Sequence, residues 1–194
     1  MSVELSPRAT EIAEHTKLLL AAGGYNGFSY ADLSKRIQIG KASIHHHFPT
    51  KADLVLTVVK QHREQTRSAL TAMAQQIDEP LACLTAYTNY WAQCIREGTM
   101  PICICAMLAA ESPLLPPDIA NEVHDYFDDL ADWLAVVLEK GASRGQFHLH
   151  GNSASTEAQA LMALVYGAML SARATRQPEV FGTVVNAAIH QLTV

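Results

Sequence analysis

Residues 28–51 read FSYADLSKRIQIGKASIHHHFPTK, and no other stretch limits the possible folds of this chain as strongly. Ser29 is a natural N-cap, and Asp32, three residues on, adds an acidic group to the first turn of a helix. Leu33 and Ile37 stand four residues apart, so one apolar face of that short helix points inward. Gln38-Ile39-Gly40 breaks the pattern, with Gly40 free to take a positive φ in the turn. A second short helix is expected from Lys41 to about Phe48, stopped by Pro49. Thr50 can cap a third beginning at Lys51. Two short helices joined by so brief a turn form a helix-turn-helix, whose second helix enters the major groove of DNA.

The second helix has the composition that this docking needs. Lys41, Ser43, His45, His46 and Lys51, with Ser29 ahead of them, offer donors for phosphates or base edges, while Ile44 and Phe48 anchor the helix to a core. The net charge of -5 opposes nucleic-acid binding only until its distribution is read. Residues 1–63 hold eight Lys/Arg against five Asp/Glu, with five of the nine histidines. Residues 64–194 hold six against fourteen. A basic head on an acidic body is the asymmetry of a protein that meets DNA with one end. The excess is modest, so tight binding calls for two copies of the head.

With 194 residues, 49% hydrophobic and 17% charged, the chain can bury a substantial core and is globular. No apolar run approaches the roughly 18 residues of a membrane span, and MSVELSPRATEIAEH lacks a secretory h-region. A cytoplasmic protein without a membrane role is the expectation. Cys83, Cys94, Cys103 and Cys105 then read as free thiols rather than disulfides.

Helical periodicity runs through the rest. Ser6 and Pro7 open a helix that ends at Gly23-Gly24, with Ile12, Ala13, Thr16, Leu19 and Leu20 as its stripe. A long helix continues from Lys51 into the seventies. Pro80 opens the next, which stops at Gly98; Pro101 is expected to start ICICAMLAAE; Pro117 starts another that ends at Gly141. Two final helices, about 155–173 and 178–192, are apolar over much of their circumference and rich in small residues. The fold class is all-α with about nine helices, divided into a DNA-binding domain at 1–50 and a helical effector-binding and dimerisation domain at 51–194. The last two helices suit a homodimer face, and a C2 dimer sets two recognition helices about 34 Å apart on a pseudo-palindrome.

His45-His46-His47 does not read as a metal site, because successive helical residues point ~100° apart. No metal site, catalytic residue or cofactor is assigned. Cys103 is expected in the first turn of its helix, where the dipole favours a thiolate. An i, i+2 pair on a regular helix would hold Cys105 away from it. Two readings stay open: a sensor thiol at Cys103, or two buried inert cysteines. Metal binding through Cys103, Cys105 and His124 is a weaker third. Tyr87, Trp91, Met107, Tyr126 and Phe127 mix bulk with polar tips, as a small-molecule pocket does. The opposing class is a helical enzyme or metal-binding module built on the His and Cys residues.

GKASIHHHFPTKADL resembles the helix-turn-helix signature of TetR-type transcriptional repressors, in which a Lys, a small residue, an apolar-aromatic-His run, Phe and a Ser/Thr-Lys pair recur. The likeness extends back through Ile12, Leu19, Leu20, Gly24-Tyr25 and Ser29, about the first third of the chain. His45 stands where the family usually has a Tyr that touches the DNA backbone; a neutral His can still donate one hydrogen bond. The resemblance implies a dimer joined through its last two helices, bound to a double-stranded operator and released by an effector held among helices 4 to 8. GTMPICICAMLAAE further resembles a segment of the subgroup that includes the N-ethylmaleimide reductase repressor. There a cysteine followed seven residues later by Ala-Glu is linked to sensing electrophiles or oxidants. Cys103 holds that place, with Glu111 in the Ala-Glu.

Overall fold

Sequence periodicity sets the helices and caps set their limits. The computed structural model describes residues 5–193. Among these the elements are α1 (Pro7–Gly23), α2 (Tyr30–Ile37), α3 (Lys41–His47), α4 (Lys51–Gln76), α5 (Pro80–Glu97), α6 (Ile104–Ala109), α7 (Pro117–Ser143), α8 (Ala154–Thr175) and α9 (Glu179–Leu192). One 3₁₀ turn, Ser112–Leu114, precedes α7. The all-α expectation holds, with no strand among the described residues. No helix is long and apolar enough to cross a membrane.

Two local expectations are corrected. Gly40 does not carry the positive φ of the turn. Its φ is -66° and it N-caps α3, while Gln38 takes the left-handed conformation at φ 56°. Ser34 makes this workable: its carbonyl accepts from Gln38 and Ile39 amides, and its hydroxyl donates to Ile39 O at 2.5 Å. Nor does α6 begin at Pro101. It begins at Ile104, and Cys103 is its N-cap with extended backbone, φ -61° and ψ 133°. Ile102, Cys103, Ile104 and Cys105 are all fully buried. A helix offers a core only one face, so four consecutive buried residues require part of the run to be extended.

The chain divides into two compact units. The first holds the chain up to Glu64 together with Cys103–Asp125. Ser6 caps α1, accepting from Ala9 N at 3.3 Å, and Ile12, Thr16 and Leu20 of that helix are fully buried. α6 packs against α1, α1 against α2, and α2 against α3. Arg63 of α4 pairs with Glu122 at 3.2 Å and Asp125 at 2.8 Å on α7.

The second unit holds Gln65–Ile102 and the chain from Tyr126 onward. α9 packs against both α8 and α5. Glu79 caps α5 by accepting from the amides of Leu81 and Ala82. Asp78 accepts from Lys140 and Arg144, and those hydrogen bonds hold its carboxyl below the usual range. At the end of α7, Gly141 leaves room for the buried Phe147 ring, into which any Cβ at 141 would run. Gly141→Ala gains helix propensity but overpacks this contact, so a net loss of about 1–2 kcal/mol is expected in urea unfolding.

Candidate nucleic-acid interface and effector residues

The geometry of α2 and α3 rests on hydrogen bonds that the backbone cannot supply for itself. Ser29 and Asp32 form a capping box at the start of α2: Ser29 N donates to Asp32 Oδ2 at 2.8 Å, and Asp32 N to Ser29 Oγ at 3.4 Å. The Ser29 hydroxyl, then the Ser29 amide, donate to the Asp32 carboxylate and pull it below its usual range. Thr50 and Asp53 repeat the arrangement at α4, with Thr50 N to Asp53 Oδ2 at 3.0 Å. Tyr30 ties the two caps together. Its buried hydroxyl donates toward Phe48 O at 2.9 Å and Thr50 O at 2.6 Å, the two carbonyls flanking Pro49. Burial, then the nearby Asp53 charge, pushes the Tyr30 phenol up to about 12. Ile44, Leu33 and Phe48 close the core beneath α3.

This scaffold leaves one face of α3 to solvent. Lys41, at its first position, is exposed, as are His45 and His46, and Ser43 is half-buried beside them. His45 Nδ1 lies 3.0 Å from Pro49 O, and its ring meets Tyr30 edge-on at 4.8 Å. A carbonyl only accepts, so Nδ1 carries the proton. The donor that a neutral His45 has to give is thus spent within the protein, and Nε2 can donate to a phosphate only from the protonated ring.

Ser29 and Lys51 are placed differently. The Ser29 hydroxyl is engaged in its capping box, 2.6 Å from Asp32 Oδ2. Lys51 turns back under the loop, donating to Phe28 O with its ammonium 4.3 Å from the Phe28 ring centre and 4.8 Å from that of Tyr25. Burial pulls the Lys51 ammonium below its usual range, opposed by the Glu111 and Asp32 carboxylates. Cation–π contacts and a buried carbonyl are structural partners rather than DNA ones.

Glu111, just past the C-terminus of α6, closes the same loop from the other side. Its carboxylate accepts from Tyr25 N, from Asn26 N at 3.1 Å and from Asn26 Nδ2 at 3.1 Å. Gly24, at φ 73°, is required twice over. The backbone is left-handed there, and a Cβ would collide with the Glu111 carboxyl.

The six effector candidates fall in both units. In the second, Tyr87 lies 5.5 Å from the Trp133 ring, and Trp133 Nε1 donates to Leu70 O at 3.1 Å. Tyr126 and Tyr166 share a buried hydroxyl contact at 3.1 Å, with Phe127 edge-on to Tyr166 at 5.1 Å. Trp91 is buried on α5. Two shallow grooves occur in this unit, one of about 480 Å³ beside Val136 and Glu139, the other of about 190 Å³ beside Leu164 and Ala188. Neither is lined by these four aromatics. Cys103 and Met107 belong to the first unit, where Met107 is half-buried and Cys103 fully buried.

The thiols depart most from expectation. Cys103 is not in the first helical turn, so its carbonyl rather than its amide joins the helix, and its side chain swings toward Cys105 instead of away. Burial, followed by the hydrogen bond and charge of Cys103, pushes the Cys105 thiol well up. The histidine that meets them is not His124, which is exposed, but His62, whose Nε2 is 3.6 Å from Cys103 Sγ. Its signal in the sequence is the buried stripe Val55, Val58, Val59, His62 on α4: a histidine where the pattern calls for an apolar residue.

Residues 12–58 match the family model described as bacterial regulatory proteins, tetR family. Residues 80–188 match the tetracyclin repressor-like C-terminal domain. A solved transcriptional regulator of the TetR family from Agrobacterium tumefaciens is 42% identical, covering 96% of this chain and 98% of that one at a TM-score of 0.93. The HTH-type transcriptional regulator CymR of Pseudomonas putida is 27% identical over 157 residues, 72% of this chain and 75% of that protein. Reduced NemR of E. coli, at 21% identity, covers 96% of this chain and 98% of its own at a TM-score of 0.79, a likeness of fold.

Removing the Glu111 carboxylate leaves the half-buried Tyr25 amide without its acceptor, while the exposed Asn26 amide turns to water. Glu111→Ala should cost about 1–3 kcal/mol, with faster hydrogen exchange at Tyr25 and Asn26. Glu111→Gln, which keeps one acceptor, should fall between it and the parent.

Proposed function

The chain belongs to the TetR family of bacterial regulatory proteins, and from that premise we propose that it is a homodimeric repressor. It holds a pseudo-palindromic operator through α3 and releases it when an effector binds. Members of this family are DNA-binding regulators rather than enzymes, with a helix-turn-helix domain and a ligand-binding C-terminal domain. The functional division falls at residue 50: residues 1–50 read DNA in the cytoplasm, and residues 51–194 pair the protomers and receive the signal.

One observation carries the DNA-binding half of this reading. A single seven-residue helix presents Lys41, His45 and His46 to solvent while Ile44 fixes it from behind. Lys41 takes a phosphate, Ser43 and His46 face the groove, and His45 reaches the DNA backbone through Nε2 when its ring is protonated. Ser29 and Lys51 act as positioning residues, the first through the α2 cap and the second through the loop beneath it. The surplus of Lys/Arg in the first 63 residues steers the approach.

Pairing through α8 and α9 is supported by what those helices leave uncovered. Ala160, Ala163, Gly167, Leu170 and Ala174 are exposed along α8, and Val184 and Ala187 along α9. Leu170 alone is 51% exposed. Small residues at these spacings let two helices approach closely, and burying the stripe against a second copy removes it from water.

The signal is a small molecule received by the aromatic groups around Tyr87, Trp91, Tyr126 and Phe127. Direct attack of a bulky electrophile on Cys103 is disfavoured by the complete burial of that thiol. Effector and operator must prefer different conformations, and by linkage each weakens the other by the same factor.

Each phosphate contact contributes about 0.9 to the slope of log affinity against log salt, and a dimer carries two heads. Lys41→Ala should therefore flatten the slope by about two, on specific and random DNA alike. Lys51→Ala should lower thermal stability and leave the slope within error of the parent. An unchanged slope for Lys41→Ala removes it from the interface.

A further inference from the structure

His62, Cys103 and Cys105 meet in the interior of the first unit. His62 is 7% exposed and both cysteines 0%. One imidazole nitrogen and two sulfurs all lie within 4.8 Å of one another. The two cysteines converge because Cys103 is extended at the N-cap while Cys105 is already helical. We propose that these three side chains form a binding site for a monovalent thiophilic ion, Cu(I), and that filling it releases the operator.

Three features select this class of ion. The donors are two soft sulfurs and an imidazole, a set that favours Cu(I) or zinc over magnesium, calcium or manganese. Their number favours Cu(I): zinc in proteins is held in a tetrahedron of four ligands, whereas only three donors converge among the described residues and the site is closed to water. One sulfur–nitrogen spacing already fits a shared ion, and the remaining donor pairs lie within 4.8 Å. A metal about 2.3 Å from sulfur and about 2.0 Å from nitrogen separates the two by about 3.5–3.7 Å at tetrahedral to trigonal angles. Cys103 Sγ and His62 Nε2 are 3.6 Å apart. The two thiolates leave a Cu(I) site with one negative charge in excess. Burial, then Cys103 and Glu122, raise the Cys105 thiol against the weaker field of Lys17 on α1, so a bound ion has to displace its proton.

Binding is an exchange of protons for metal. Two S–H bonds break, two S–Cu bonds form, His62 supplies a lone pair, both protons leave to solvent, and the copper stays Cu(I) throughout. The output on DNA rests on the repressor reading. α6 starts at this site and ends two residues before Glu111, whose carboxylate holds the Tyr25–Asn26 turn below α2. Drawing Cys103 and Cys105 onto one ion regularises or shifts that short helix, and the turn loses its acceptor.

The test is an anaerobic titration of the full-length protein with Cu(I), buffered by a colorimetric Cu(I) chelator, with operator binding followed in parallel. One ion per chain is expected, held tenfold or more weaker in Cys105→Ser and in His62→Ala, and unchanged in Cys94→Ser. X-ray absorption of the parent loaded with one equivalent of Cu(I) should show two sulfurs and one nitrogen, a readout that stands even if a variant fails to fold. Operator release should follow occupancy and vanish in Cys105→Ser. Equal binding in Cys105→Ser, a shell with no nitrogen, or zinc displacing Cu(I) at equal concentration overturns the site. Stoichiometric binding with no change in DNA affinity overturns its regulatory role. Failure of the metal-free protein to bind any DNA would instead count against the repressor reading and leave the titration to decide the site.

Discussion

One carboxylate holds the recognition head in its shape. The turn after α1 leaves the amides of Tyr25 and Asn26 without helical partners, and Glu111, 85 residues away in sequence, accepts from both. The Tyr25 amide is half-buried, so losing this acceptor costs it part of a desolvation penalty, while the Asn26 amide is exposed and can turn to water. On the other side of the loop, Lys51 donates to Phe28 O beneath the Tyr25 and Phe28 rings. The loop that leads into α2 is thus gripped by opposite charges.

The placement of α3 depends on this grip. Phe28 and Ser29 lead into the capping box, the capping box starts α2, and Tyr30 at the first position of α2 reaches forward to both carbonyls flanking Pro49. A helix of seven residues has little stability of its own, so the direction in which it presents Lys41 and His46 is set by these tertiary bonds. The same chain of contacts makes the head responsive. Any event that moves the end of α6 moves an acceptor on which the start of α2 depends. In the second unit the logic is apolar instead: aromatic pairs fill its core, and α8 and α9 leave a stripe of small residues uncovered.

Most of the architecture was legible because helices announce their ends. Ser6, Ser29, Thr50, Gly24 and Gly98 stand where side-chain caps or left-handed backbone are needed, and the elements fall within a few residues of the sequence pattern. The errors have physical causes. Gly40 was the obvious carrier of a positive φ, yet Gln38 takes it, since Ser34 satisfies the freed amides and so lowers the cost. Pro101 looked like a helix start, but ICIC must be buried on every side and enters extended. Lys51 is expected at the DNA from its charge; its surroundings within the chain are aromatic rings and a carbonyl, which no local pattern predicts. The meeting of His62 with Cys103 spans 41 residues and depends on tertiary packing. Only the misplaced histidine in the buried stripe of α4 hinted at it.

The central claim is that two copies of α3, held in fixed orientation, read a symmetric duplex. Selection of binding sites from random double-stranded DNA by the full-length protein tests it most directly, with no assumption about where the operator lies. The account predicts an enriched pseudo-palindrome whose half-site centres are separated by one helical turn, about 10 base pairs, or a multiple of it. Enrichment of a single asymmetric element, or of no sequence above the starting pool, would contradict it.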